Sequence, residues 1–86
     1  MKTNDILEYI KKAGKLRQKC TIGYYNARGV FSTRTISPYS LRLSKKGLLL
    51  FGLENEDQHI KSFKVENITD IQVSEFKFEP VFPVEL

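Results

Sequence analysis

The chain has 86 residues, 41% apolar and 28% charged, with a net charge of +4. A chain of this length has room for one domain with one core and little surface to spare for a deep catalytic cleft. Its one cysteine, Cys20, excludes an internal disulfide and a thiolate-rich zinc site, and its one histidine, His59, leaves no ordinary metal-ligand set.

The first element expected is a short helix over 4–13, capped by Thr3 or Asn4. Ile6, Leu7 and Ile10 form its apolar stripe, Lys11, Lys12 and Lys15 suit the negative end of its dipole, and Gly14 is the expected stop. From Arg17 the period changes to two. Cys20, Ile22 and Tyr24 alternate with Thr21, Gly23 and Tyr25, which predicts a strand with Cys20 in the core. Asn26-Ala27-Arg28-Gly29 predicts a hairpin turn with Gly29 in a left-handed conformation, followed by a strand over 30–36. Pro38 cannot donate to a ladder, so Ser37-Pro38-Tyr39-Ser40 marks a bend, bulge or strand edge, with Tyr39 packing it, before alternation resumes at Leu41-Arg42-Leu43.

Lys45-Lys46-Gly47 is a second turn. Leu48 to Phe51 is apolar on both faces and predicts a central strand, ended by the polar Asn55-Glu56-Asp57. Strands are expected over 59–65, with Phe63 in the core, and over 68–74, with Ile71 and Val73 alternating. The tail over 76–86 is expected to lie extended over the body. One short helix and about five strands joined by tight turns predict a mainly β domain over 1–86, its barrel at 17–75, closed in antiparallel fashion so that no sheet edge is exposed.

Residues 1–53 carry eleven Lys/Arg and two Asp/Glu, whereas residues 54–86 carry three and eight. A basic half suits a polyanion through long-range attraction. The alternative is that the two halves pair with each other in the fold. No apolar run approaches the ~20 residues that span a bilayer, and the N-terminus has no signal-peptide core, so a cytoplasmic protein off the membrane is expected.

Several segments together resemble the WYL domain family: Ile22-x-Tyr24, Gly29, Arg34-Thr35-Ile36-Ser37-Pro38-Tyr39-x-Leu41, Gly47-Leu48-Leu49-Leu50-x-Gly52 and Ile60-Lys61-Ser62-Phe63-Lys64-Val65-x-x-Ile68. The resemblance covers about residues 10–75. The family's Trp-Tyr-Leu is here Leu48-Leu49-Leu50. Two arginines of its last motif become Lys61 and Lys64, and its Asp and final Arg become Glu66 and Asn67. Lysine lacks the planar fork of arginine, so the ligand chemistry changes more than the fold. The resemblance implies an SH3-like or Sm-like barrel. It implies a ligand-sensing role in transcription regulators or in accessory proteins of CRISPR and other phage-defence systems. It also implies a nucleotide or single-stranded nucleic acid as ligand, held in a basic groove.

Five residues are the ligand-binding candidates: Tyr24, Arg34, Lys61, Lys64 and Arg42. Tyr24 offers a ring for stacking and a polar tip, and Arg34 matches the family's arginine. Lys61 and Lys64 are three apart, so a regular strand turns them to opposite faces. Arg28 is a further basic residue, and His59 is expected at a turn edge on the surface. No nucleophile–base pair, phosphate loop or metal set is marked, so no catalysis and no cofactor are expected. The alternative function is a protein-interaction or oligomerisation barrel, with a regulatory protein or a second copy as partner.

Overall fold

The apolar stripe of the first segment does form a helix, and it is longer than its sequence signals suggest. The computed structural model describes residues 1–54 and 59–86; the expected turn at Asn55–Asp57 lies outside the described residues. Helix α1 spans Thr3–Lys15, with Lys2 at its N-cap position and no side-chain cap. Ile6, Ile10 and Ala13 are fully buried along one face. Gly14 does not end the helix: it lies inside it and is buried. A Cβ there would collide with the side chain of Leu86, so packing explains this glycine. The left-handed residue that turns the chain is Arg17, with φ 56°. Its guanidinium donates to the Gly14 carbonyl at 2.6 Å, and its own carbonyl accepts from the Phe78 N–H at 2.9 Å. These bonds offset the cost of a side chain in that conformation.

Among the described residues five strands follow: β1 Gln18–Tyr25, β2 Phe31–Ser44, β3 Gly47–Glu54, β4 Lys61–Lys64 and β5 Ile68–Lys77, with a 3-10 turn at Val65–Asn67 between the last two. They form one antiparallel sheet in the order β4-β3-β2-β1-β5. The protein is mainly β, as expected. The sheet is open, however: among the described residues no ladder joins β4 to β5, so the expected closed barrel is a curled sheet instead. The curl is evident from Tyr24, whose ring centroid lies 5.1 Å from that of Phe63 on β4. Two strands lie between β1 and β4. A flat sheet would therefore hold them roughly 14 Å apart.

The β1–β2 turn is built as expected. The Asn26 side-chain oxygen accepts from the Arg28 and Val30 N–H groups at 2.9 and 3.0 Å, and Gly29 has φ 77°. Beyond it, the two strands expected on either side of Pro38 are one strand of 14 residues. The first half of β2 pairs with β1, from Phe31 to Ile36, and the second half with β3, from Ile36 to Ser44. Pro38 lies past the last rung to β1, where its missing N–H costs no ladder bond on that side. The register shifts between Pro38 and Ser40, with Tyr39 as the extra residue of a β-bulge. Opposite Pro38, Gly52 lies so close to β2 that a Cβ would sit 2.8 Å from the Ser37 carbonyl oxygen.

The core lies between α1 and the concave face of the sheet. Ile6, Ile10, Ala13, Cys20, Ile22, Ile36, Leu50, Phe63 and Val65 are its most buried members. The tail, residues 78–86, covers the edge that β2 shows past β1. The Tyr39 carbonyl accepts from the Glu85 N–H at 2.8 Å, the Tyr39 hydroxyl from the Val81 N–H at 3.2 Å, and the Tyr39 ring packs on Phe78 and Phe82. Among the described residues no helix is long and apolar enough to cross a membrane.

Gly52→Ala is expected to lower stability by about 1–3 kcal/mol in urea melts, because overpacking this contact forces backbone to move. Burial pushes the Cys20 thiol up to about 12. The folded state therefore favours the protonated thiol, and stability falls as pH rises through the unfolded value near 9 towards 12. In the native protein at pH 8, Cys20 should stay unlabelled by a thiol reagent and react once unfolded in urea. The alkaline loss of stability should be smaller in Cys20→Ala.

Candidate functional site

Strand alternation decides where each candidate side chain lies, and the β2 bulge resets it. Before the bulge, even-numbered residues of β2 face the core: Ile36 is buried, and Arg34 opposes the buried Ile22 of β1. After it, odd-numbered Leu41 packs on the core and even-numbered Arg42 turns to the outer face. The two arginines of one strand thus stand on opposite faces. On β4 the expected separation is observed. Lys61 shares the inward side with Phe63, while Lys64 opposes Leu49 on the outer side.

The inward-facing group sits at the rim of the core. Arg34 Nη1 donates to Glu54 Oε1 at 2.5 Å, and Lys61 Nζ donates to the same oxygen at 3.0 Å. Arg34 Nε donates to Ser32 Oγ at 2.9 Å, and the guanidinium carbon lies 5.9 Å from the Phe63 ring centroid. A hydroxyl and an aromatic face therefore fix the orientation of the guanidinium. Glu54 ends β3 and opposes Ile36, so it meets Arg34 on one diagonal and Lys61, which opposes Gly52, on the other.

The outward-facing Leu49, Ser62 and Lys64 border a cleft of about 620 Å³ that is also lined by Tyr24, Tyr25, Asn26, Ala27, Gly29, Lys46 and Asn67. Its volume is in the range of small-molecule sites, and among the described residues no carboxylate lines it. The Tyr24 hydroxyl accepts from the Lys64 N–H at 3.1 Å and so ties β1 to the end of β4. Tyr25 is exposed, with its ring edge against Phe31 at 5.1 Å. Arg42 and Lys64 flank Leu49 in register on either side. Arg42 pairs with Glu85 at 3.0 Å, and Lys64 with Glu66 at 3.6 Å; both pairs are largely exposed and contribute little to stability.

The five candidates thus divide. Tyr24 and Lys64 line the cleft, Arg42 stands one strand away on the same face, and Arg34 and Lys61 meet on Glu54 behind it. Arg28 is exposed in the turn beside the cleft, and His59 is also exposed. Three contributors escaped the sequence reading. Tyr25 was detectable, since alternation opposite Tyr24 turns it outward. Lys46 read only as a turn residue, and nothing local marks Glu54 as the partner of an arginine twenty residues earlier.

The family model of the WYL domain matches residues 5–73 of the chain. The protein belongs to the WYL domain family. In this WYL domain the position of the family's central tyrosine is Leu49, in the cleft lining. Among solved structures, Proteasome accessory factor B/C (PafBC) of Arthrobacter aurescens is similar, with a TM-score of 0.77 and 11% identity over 94% of the present chain. At that identity the likeness concerns the fold. The chain spans 14% of the length of that protein. Comparison with curated proteins gives no match.

Tyr24→Phe keeps the ring and removes the acceptor for the Lys64 N–H. A loss of about 0.5–1.5 kcal/mol is expected in urea melts, as for an ordinary intramolecular hydrogen bond.

Proposed function

We propose that this WYL domain is a regulatory binding module that takes a nucleotide or single-stranded nucleic acid into the outer cleft. The observation that carries the reading is the cleft itself: two lysines, two tyrosines and an apolar floor at Leu49, with no carboxylate in the lining among the described residues. Lys46 and Lys64 hold phosphate, Arg42 extends the basic row across the sheet, and the exposed ring of Tyr25 stacks a base. Tyr24 positions the Lys64 backbone. With leucine in place of the family's tyrosine, the floor offers apolar contact without a hydroxyl, which favours a base face over a base edge.

Binding of this kind is read out by a protein partner, in a transcription regulator or a phage-defence accessory factor. Family membership supports that setting. We read the module as a binder; its one thiol is buried and held protonated, unsuited to act as a nucleophile. The expected cytoplasmic location accords with this role.

A second reading is a protein-interaction or oligomerisation module. Leu43, Phe76 and Val81 favour it, being apolar and 83%, 72% and 70% exposed. Light scattering over a range of concentrations distinguishes the two, since a strict monomer that binds nucleotides leaves the second reading without support.

Titration with short single-stranded RNA and DNA and with AMP at low salt should show binding that weakens as salt is added. Lys64→Ala should lower affinity severalfold and reduce the salt slope by about 0.7, the value for one phosphate contact on a single strand. Absence of binding to every probe at low salt would remove the reading.

A further inference from the structure

On β5 the register to β1 jumps from Val73, opposite Cys20, to Lys77, opposite Gln18. Ser74, Glu75 and Phe76 thus face the single residue Lys19 and bulge out of the ladder. The Phe76 N–H donates to Ser74 Oγ at 3.0 Å, which holds the bulge in shape. Phe76 is 72% exposed, and Glu75 and Glu79 beside it are exposed as well. The chain thereby presents an aromatic knob between two carboxylates. The solvent face of α1 presents the opposite. Glu8, Lys11, Lys12, Lys15 and Leu16 line an open depression of about 400 Å³, with three ammonium groups to one carboxylate. The exposed Leu16 side chain and the lysine stems supply its apolar walls, and the charged ends stand at its rim. Among the described residues no ion pair engages Lys11, Lys12, Lys15, Glu75 or Glu79.

We propose that the knob of one molecule seats in the α1 depression of a second copy, and that two copies do so reciprocally to form a closed dimer. Charge complementarity selects the occupant, since each surface carries the charge that the other lacks and neither is paired within its own molecule. Phe76 fills the apolar floor, and Glu75 and Glu79 meet the lysines around it. A ring beneath ammonium groups adds cation–π attraction. Knob and depression lie close together in the fold: Gln18, just past α1, pairs with Lys77, and the Arg17 carbonyl accepts from the Phe78 N–H. Phe76 nevertheless stays exposed, so it does not fill the depression of its own molecule. With both surfaces near one another, a single twofold axis makes two identical contacts, and the assembly closes instead of growing into a filament. The inference rests on the oligomerisation reading and gives it a surface. None of these residues lines the cleft, so pairing leaves it open to ligand. Two small charged contacts make a weak dimer that salt dissociates.

The test is sedimentation equilibrium of the full chain at low and at high salt, with circular dichroism to check that each variant folds. The wild type should approach the mass of a dimer at low salt and return to the monomer at high salt. Lys11→Glu/Lys15→Glu makes the depression acidic, and Glu75→Lys/Glu79→Lys makes the knob basic. Each of these variants alone should associate about tenfold more weakly or worse, because like charges then face each other. An equimolar mixture of the two should recover wild-type association, since every contact again joins opposite charges. Phe76→Ser should weaken association severalfold at low salt. Variants that associate as the wild type does, or a mixture of folded variants that stays monomeric, overturn the proposal. Mass that grows past the dimer overturns the closed arrangement. The two possible failures differ: a wild-type dimer indifferent to these substitutions removes this surface and leaves the oligomerisation reading standing, whereas a strict monomer at low salt removes both.

Discussion

Strand β2 belongs to two partners. Its first half completes a hairpin with β1 and its second half completes another with β3, and the residue inserted at Tyr39 marks the exchange. An extra residue bends a strand and increases its twist, and here it also exchanges the two faces of the strand. Leu41 turns in to the core, Arg34 stays at its rim, and Arg42 turns out. The bend helps curl the sheet, and the curl brings Tyr24 of β1 to Phe63 and Lys64 of β4 across two intervening strands. Both the cleft and the Arg34–Glu54–Lys61 group depend on this geometry.

The same inserted residue organises the tail. Tyr39 has no partner on β3, so its carbonyl is free to accept from Glu85, and its ring becomes the platform for Phe78 and Phe82. The edge that β2 leaves uncovered past β1 is thereby occupied by the chain itself. Covering an edge in this way removes a template for pairing with other chains. Closure by a full ladder would serve the same end, and the open sheet achieves part of it by other means.

Charge pairing follows from these contacts. The basic first half and the acidic second half do meet, since Arg34 reaches Glu54 and Arg42 reaches Glu85. Yet Lys11, Lys12, Lys15, Lys45 and Lys46 remain exposed. Both expectations for the uneven charge therefore hold in part: some of it is internal pairing, and some is open basic surface. The partly buried pair on Glu54 is structurally the more consequential, because removing either partner there leaves charge at the rim of the core.

Much of the fold is legible in the residues. Alternation at Cys20, Ile22 and Tyr24 places β1, Asn26 and Gly29 set its turn, and the RTISPY and IKSFKV segments carry the family. Local signals fail where distant packing overrides them. Gly14 reads as a helix stop, but Leu86 packs against it and Arg17 takes the turn. Pro38 reads as an interruption, but it lies where β2 has already left β1, so the strand runs on. The opposite facing of Lys61 and Lys64 needs only the period of two. Which cation meets which carboxylate is decided by tertiary structure alone. The bulge sets the face of Arg34, the curl sets its neighbours, and no local pattern encodes the meeting of residues 34, 54 and 61.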